Sequence, residues 1–126
     1  MDILQSAQPM AFILVRDREK AKAFYSGILG LTFVSEDDFA ATYDLTGIIL
    51  RLTTVEDWTP HPHTVVGWSV PDIAATSRAL AAKGVTFSIY EGFGQDALGI
   101  WTSPDRKRKV NWFSDPEGNV LSLKEG

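Results

Sequence analysis

The 126-residue sequence has no cysteine. Disulfides, thiolate metal sites and cysteine nucleophiles are therefore excluded, and the composition suits a reducing cytoplasm, the expected location. Histidine is nearly as scarce, being confined to His61 and His63. No apolar run approaches the ~18 residues that a membrane span needs, so no membrane partner is expected. The opening Met1-Asp-Ile-Leu-Gln5 lacks the basic start and apolar core of a signal peptide. Positive charge is also in deficit. Twelve Lys+Arg against 16 Asp+Glu leave a net charge of −4, which argues against a nucleic-acid partner. The one basic cluster, Arg106-Lys-Arg-Lys109, follows the turn-like Ser103-Pro-Asp105. It reads as a solvated loop or edge strand rather than a phosphate site. Signatures of other catalytic classes are missing too: there is no Gly-x-Ser-x-Gly, no Gly-rich phosphate loop with Lys-Ser/Thr and no His-Glu-x-x-His.

What remains is an ordinary globular composition, 44% apolar and 22% charged, on a chain long enough to bury a core unaided. Its organising feature is an internal repeat. Val15 and Asp17 match Val70 and Asp72 at an offset of 55, and Gly30, Thr32 and Phe33 match Gly84, Thr86 and Phe87 at an offset of 54. Each match has a physical job. Asp17 and Asp72 stand where a strand gives way to a helix and can accept from its first free N–H groups. Ala21, Phe24, Tyr25, Ile28 and Leu29 recur at helical spacing as one apolar face, as Ile73, Leu80 and several alanines do in the second copy. Gly30 and Gly84 stop the helices. Strands then restart at Leu31–Val34 and Val85–Tyr90. They continue through Phe39–Leu45 and Ile48–Thr54 in the first copy, and through Lys109–Phe113 and Asn119–Lys124 around the turn Asp115-Pro-Glu-Gly118 in the second.

The expected fold class is α+β: two tandem βαβββ modules, each a curved mixed sheet with a helix on one face. Module one covers about residues 8–54, the linker about 55–63 and module two about 64–124, within one domain spanning 1–126. Residues 91–106 do not fit the repeat. Glu91-Gly-Phe-Gly94 reads as loop, and Ala97–Thr102 as an extra short strand.

Val15-x-Asp17, Phe24-Tyr25, Leu29-Gly30-Leu31 and the ending Phe113-Ser-Asp-Pro-Glu-Gly-Asn119 together resemble the vicinal oxygen chelate superfamily of glyoxalases, bleomycin-resistance proteins and extradiol dioxygenases. The resemblance runs over roughly residues 10–124. It implies the glyoxalase/bleomycin-resistance-like fold, a small-molecule ligand and a homodimer in which two modules or two subunits complete each cup. In metal-dependent members, four strand positions carry the ligands. The matching residues here are Met10, Arg51, Val65 and Ser122. None is a good donor to a divalent cation, so no metal and no other cofactor is expected.

Strand side chains alternate in direction. The four positions therefore define a cavity face that also takes Phe12, Leu14, Ile49, Thr53, Gly67, Ser69, Val120 and Lys124. Counting back across the Asp115–Gly118 hairpin sets Asn111 opposite Ser122 and Phe113 opposite Val120. The expected ligand-binding residues are Met10, Phe12, Arg51, Val65, Ser69, Asn111, Phe113 and Ser122. Leu50, Leu52, Val66, Trp68, Trp112, Leu121 and Leu123 are assigned to the helix side. Arg51 needs solvent, a carboxylate such as Asp44 or an anionic ligand, because a buried unpaired cation is costly. His61 and His63 alternate with Pro60 and Pro62 and read as a solvated loop rather than metal ligands. Tyr25 and Tyr43 read as core, and Trp58 and Trp101 as packing or as the rim of a mouth. No catalytic residue stands out. The reading is a metal-independent protein that binds an anionic or aromatic small molecule, with the resemblance implying sequestration as in the bleomycin-resistance branch. The alternatives are a divergent glyoxalase-like lyase or dioxygenase-like metalloenzyme, and a structural or regulatory partner without a ligand.

Overall fold

The repeat becomes two four-stranded sheets in the computed structural model, which describes residues 3–126. The first two residues of the opening segment lie outside that range. The chain divides into two compact units, with the boundary between Trp58 and Thr59.

In the first unit, β1 (Met10–Val15) leads through Asp17 into α1 (Arg18–Lys22). The Asp17 carboxylate accepts from the Lys20 N–H at 3.1 Å, as an N-cap should. The helix then widens into a π-helical stretch, Ala23–Ile28, with the Leu29 N–H reaching back to the Phe24 carbonyl. Strands β2 (Thr32–Glu36), β3 (Ala40–Asp44) and β4 (Ile49–Thr54) follow, in sheet order β1-β4-β3-β2. β1 and β4 are parallel, and the other pairs are antiparallel. Ile13, Val15, Tyr43, Leu50 and Leu52 are buried with Ala21, Phe24 and Tyr25 of the helical segment. The Ser26 hydroxyl pairs with that of Tyr43 at 2.7 Å.

The second unit repeats the plan with β5 (Thr64–Ser69), α2 (Ile73–Ala82), the short β6 (Trp101–Thr102), β7 (Lys109–Ser114) and β8 (Val120–Glu125), in order β5-β8-β7-β6. Asp72 caps α2 by accepting from the Ala75 N–H at 3.0 Å. The expected strand at 85–90 does not form. Phe87 makes an isolated bridge to Phe113, and the Ser88 N–H donates to the Trp112 carbonyl. The rest of that edge is taken by β6, the two-residue Trp101–Thr102, paired with Val110 and Lys109. The strand expected at 97–102 thus shrinks to its last two residues. Its earlier part is a loop held by Asp96, whose carboxylate accepts from the Leu98 and Ile100 N–H groups. Arg106–Arg108 sit in an exposed turn, organised by Asp105 accepting from the Ser103 hydroxyl at 2.6 Å. Among the described residues, no helix is long and apolar enough to cross a membrane.

Candidate functional site

Each sheet has one face covered by its helical segment and one left open. In the first unit the open face carries Met10, Phe12 and Leu14 of β1, with exposures of 44%, 59% and 37%. Phe12 lies across from Arg51 of β4, and Met10 from Ile49. Arg51 finds its carboxylate in Asp37, at 3.4 Å, rather than in Asp44. The Asp44 carboxylate accepts from the Thr46 N–H instead. Asp37 belongs to the β2–β3 turn, and the N–H groups of Phe39 and Ala40 donate to it. These donors, with Arg51 beyond them, hold its carboxyl below the usual aspartate value. Arg18 ties the same turn down by donating to the carbonyls of Asp37, at 2.6 Å, and Asp38. Beside it, Lys22 and Glu36 meet at 2.8 Å. The bond raises the lysine's pKa and lowers the glutamate's.

In the second unit, Val65 sits at a register shift between Thr64 and Val66. Gly67 lies beside Ser122 so closely that a Cβ there would come 2.7 Å from the serine Oγ. Ser69 is exposed on the same face, paired with Lys124.

Two expected site residues are displaced. Trp112, not Asn111, stands opposite Ser122, and Phe113 pairs with Leu121. The cause is the hairpin. The Asp115 N–H bonds to the Asn119 carbonyl, so the strands close on a three-residue loop, with Gly118 at φ 93°. The Asp115 carboxylate braces the loop by accepting from the Glu117 and Asn119 N–H groups. One residue more than a two-residue turn inverts every side chain on β7. Asn111 and Phe113 therefore belong to the core and not to the open face. Phe113 is fully buried, edge-on to Phe87 at 5.6 Å. The Asn111 amide donates to the Ser77 hydroxyl of α2 at 2.8 Å and to the Leu98 carbonyl at 3.2 Å.

The same inversion brings Trp112 into an aromatic cleft of about 330 Å³, lined by Pro62, His63, Thr64, Tyr90, Phe93, Trp112 and Val120. Tyr90 and Phe93 stand nearly perpendicular to Trp112, with ring centroids 5.5 and 6.3 Å away. His63 stacks on His61 at 5.5 Å. Both outer rings come from the loop after Ser88. Gln95 pins this loop: its side chain accepts from the Tyr90 N–H and donates to the Ser88 and Gly99 carbonyls, all within 2.7–2.8 Å. None of the eight expected ligand-binding residues lines this cleft. The missed signal was the pair of aromatics, Tyr90 and Phe93, in the stretch where the repeat breaks down.

A family model described as Glyoxalase/Bleomycin resistance protein/Dioxygenase superfamily matches residues 7–123. The chain belongs to this superfamily. Solved structures of superfamily-like fold include a member of the superfamily from Sphaerobacter thermophilus, with 24% identity, TM-score 0.76, and 98% of this chain and 100% of that one covered. The fosfomycin resistance protein FosX of Listeria monocytogenes is 12% identical at TM-score 0.74, covering 96% and 93%. A lactoylglutathione lyase from Agrobacterium tumefaciens is 15% identical at 0.73, covering 96% and 94%. At these identities the likeness is one of fold. No curated protein matches the chain.

The superfamily's metal positions can be tested against the residues present. Met10 offers a thioether, Arg51 a guanidinium already paired with Asp37, Val65 no donor and Ser122 a neutral hydroxyl. This donor set does not fit a divalent cation. Among the described residues, no three His, Cys, Asp or Glu side chains gather into a metal-holding group.

Proposed function

We propose that this superfamily member is a small-molecule-binding protein that works without a divalent metal, and that the aromatic cleft of its second unit is the binding site. The observation that carries the reading is the wall of Tyr90, Phe93 and Trp112 facing a cleft of about 330 Å³. That volume lies within the range of small-ligand sites, and apolar walls with a few polar groups are their usual lining. His63 and Thr64 supply the polar groups. The poor donors at the four metal positions support independence from metal.

A lyase- or dioxygenase-like activity is the competing reading, suggested by the fold likeness to a lactoylglutathione lyase. It would need charged donors where this chain has Met10, Val65 and Ser122. A cytoplasmic homodimer belongs to the same proposal. The dimer is supported by the exposed Met10, Phe12 and Leu14 on the edge strand β1, and a monomeric sedimentation mass would contradict it. The deciding experiment is a thermal-shift screen of small organic compounds with and without prior treatment with a chelator. Ligands should raise the melting temperature equally in both cases. Binding that disappears with chelation, or a stoichiometric divalent metal in the purified protein, would overturn the reading.

A further inference from the structure

The three-ring wall also constrains what the cleft selects. Tyr90 and Phe93 meet Trp112 at interplanar angles of 83° and 75°. In such contacts the positive edge of one ring rests on the negative face of another. Part of the electron-rich surface that an organic cation would need is thereby already occupied. Charge complementarity is missing in both senses, because the lining residues include no Asp, Glu, Lys or Arg. An ion entering the cleft would give up water without an opposite charge to meet it, apart from what His63 can supply. A neutral ring loses little hydration and gains further edge-to-face or offset contacts on the same wall. Phe93 keeps 51% of its surface exposed and Tyr90 38%, so ring surface is available for such contacts. Both rings sit on a loop whose backbone Gln95 braces at Ser88, Tyr90 and Gly99, which lowers the cost of ordering that loop on binding.

We infer that the cleft selects an uncharged planar aromatic ring, held against Trp112 by the loop-borne Tyr90 and Phe93. This rests on reading the cleft as a ligand site and goes further by naming the ligand class.

The test is calorimetric titration of the full chain with four probes: naphthol, its saturated analogue decalinol, naphthoate and choline. Naphthol should bind most tightly. Decalinol matches its size and hydroxyl without the π-system and should bind about threefold to tenfold more weakly, the range that aromatic pairing contributes. Naphthoate and choline should bind more weakly still. Phe93→Ala alters an exposed loop residue and should leave folding intact while weakening naphthol by a similar factor. Trp112→Leu should weaken it further, and a far-ultraviolet spectrum matching the wild type would show that the sheet is retained. If decalinol, naphthoate or choline equals naphthol, or if Phe93→Ala leaves naphthol binding unchanged, the aromatic selectivity is wrong while the cleft remains a ligand site. If no probe binds, the binding-site reading fails and this inference fails with it.

Discussion

The two units run the same plan and treat its last edge differently. In the first, β2 is a five-residue strand paired with β3 along its length, with one register shift between Phe33 and Ser35, and its surroundings are charged: Arg18, Lys22, Glu36 and Asp37 clasp the turn that follows. In the second, the matching edge is split between Phe87–Ser88 and Trp101–Thr102. The intervening chain leaves the sheet and carries Tyr90 and Phe93 to Trp112. A duplicated scaffold thus keeps a complete strand in one copy and gives up part of that strand in the other. The released segment is long enough to build a cleft, and the remaining two-residue pairings keep the edge registered.

The comparison can be broken most sharply in the core of the second unit. Phe113→Ala should destabilise by about 3–5 kcal/mol, as large-to-small changes at buried aromatics do, measured by urea denaturation. A loss below about 1 kcal/mol would mean that Phe113 faces the open side after all. Next comes Gln95→Leu. It strands the Ser88 and Gly99 carbonyls and should cost about 1–3 kcal/mol. Amide exchange should accelerate at Tyr90 and Gly99, naphthol binding should fall and exchange in β2 should stay unchanged. Accelerated exchange across both units would refute a loop-confined role.

Smaller effects should follow in the first unit. Arg18→Ala removes donors to the Asp37 and Asp38 carbonyls. It should loosen the β2–β3 turn by about 1 kcal/mol, read from amide exchange at Phe39 and Ala40, without touching ligand binding. The smallest effect is a dependence on pH. The carboxyl of Asp37 is held below its usual value, so the folded state favours its ionised form. That stabilisation is complete above the unfolded aspartate value of ~3.9 and is lost as pH falls through the lower folded one. The protection of the Ala40 amide, taken relative to an unstructured amide at the same pH, should therefore fall on strong acidification in the wild type. Asp37→Asn should show the lower protection already at neutral pH and respond less to acid. An unchanged acid response in the variant would assign the effect to another group.

Much of the architecture was legible because it rests on local chemistry. Asp17 and Asp72 announce helix starts, and Gly30 and Gly84, both at positive φ, announce their ends. Alternation along the strands set Phe12, which is exposed, and Arg51, which is half-buried, apart from Leu50 and Leu52, which are buried. The site was less legible for two physical reasons. Register across a hairpin depends on how the turn closes, and Asp115-Pro-Glu-Gly118 supports a four-residue turn and a three-residue loop equally well on composition. That ambiguity alone exchanged Trp112 for Asn111 and Phe113. The cleft's other walls come from irregular chain. Tyr90 and Phe93 follow no period, and their placement depends on side-chain hydrogen bonds from Gln95 that spacing does not encode. The Arg51 partner was missed similarly, because Asp37 reaches it from a turn rather than from the neighbouring strand.

The hairpin at Asp115–Asn119 works as a parity device. Its length decides whether odd- or even-numbered residues of β7 face the core. Removing one residue there would not shrink the cleft by degrees. It would turn Trp112 toward α2 and bring the amide of Asn111 to the open face. Length changes that preserve both surfaces must come in pairs, so this short turn is a point where the chain tolerates substitution more readily than a single insertion or deletion.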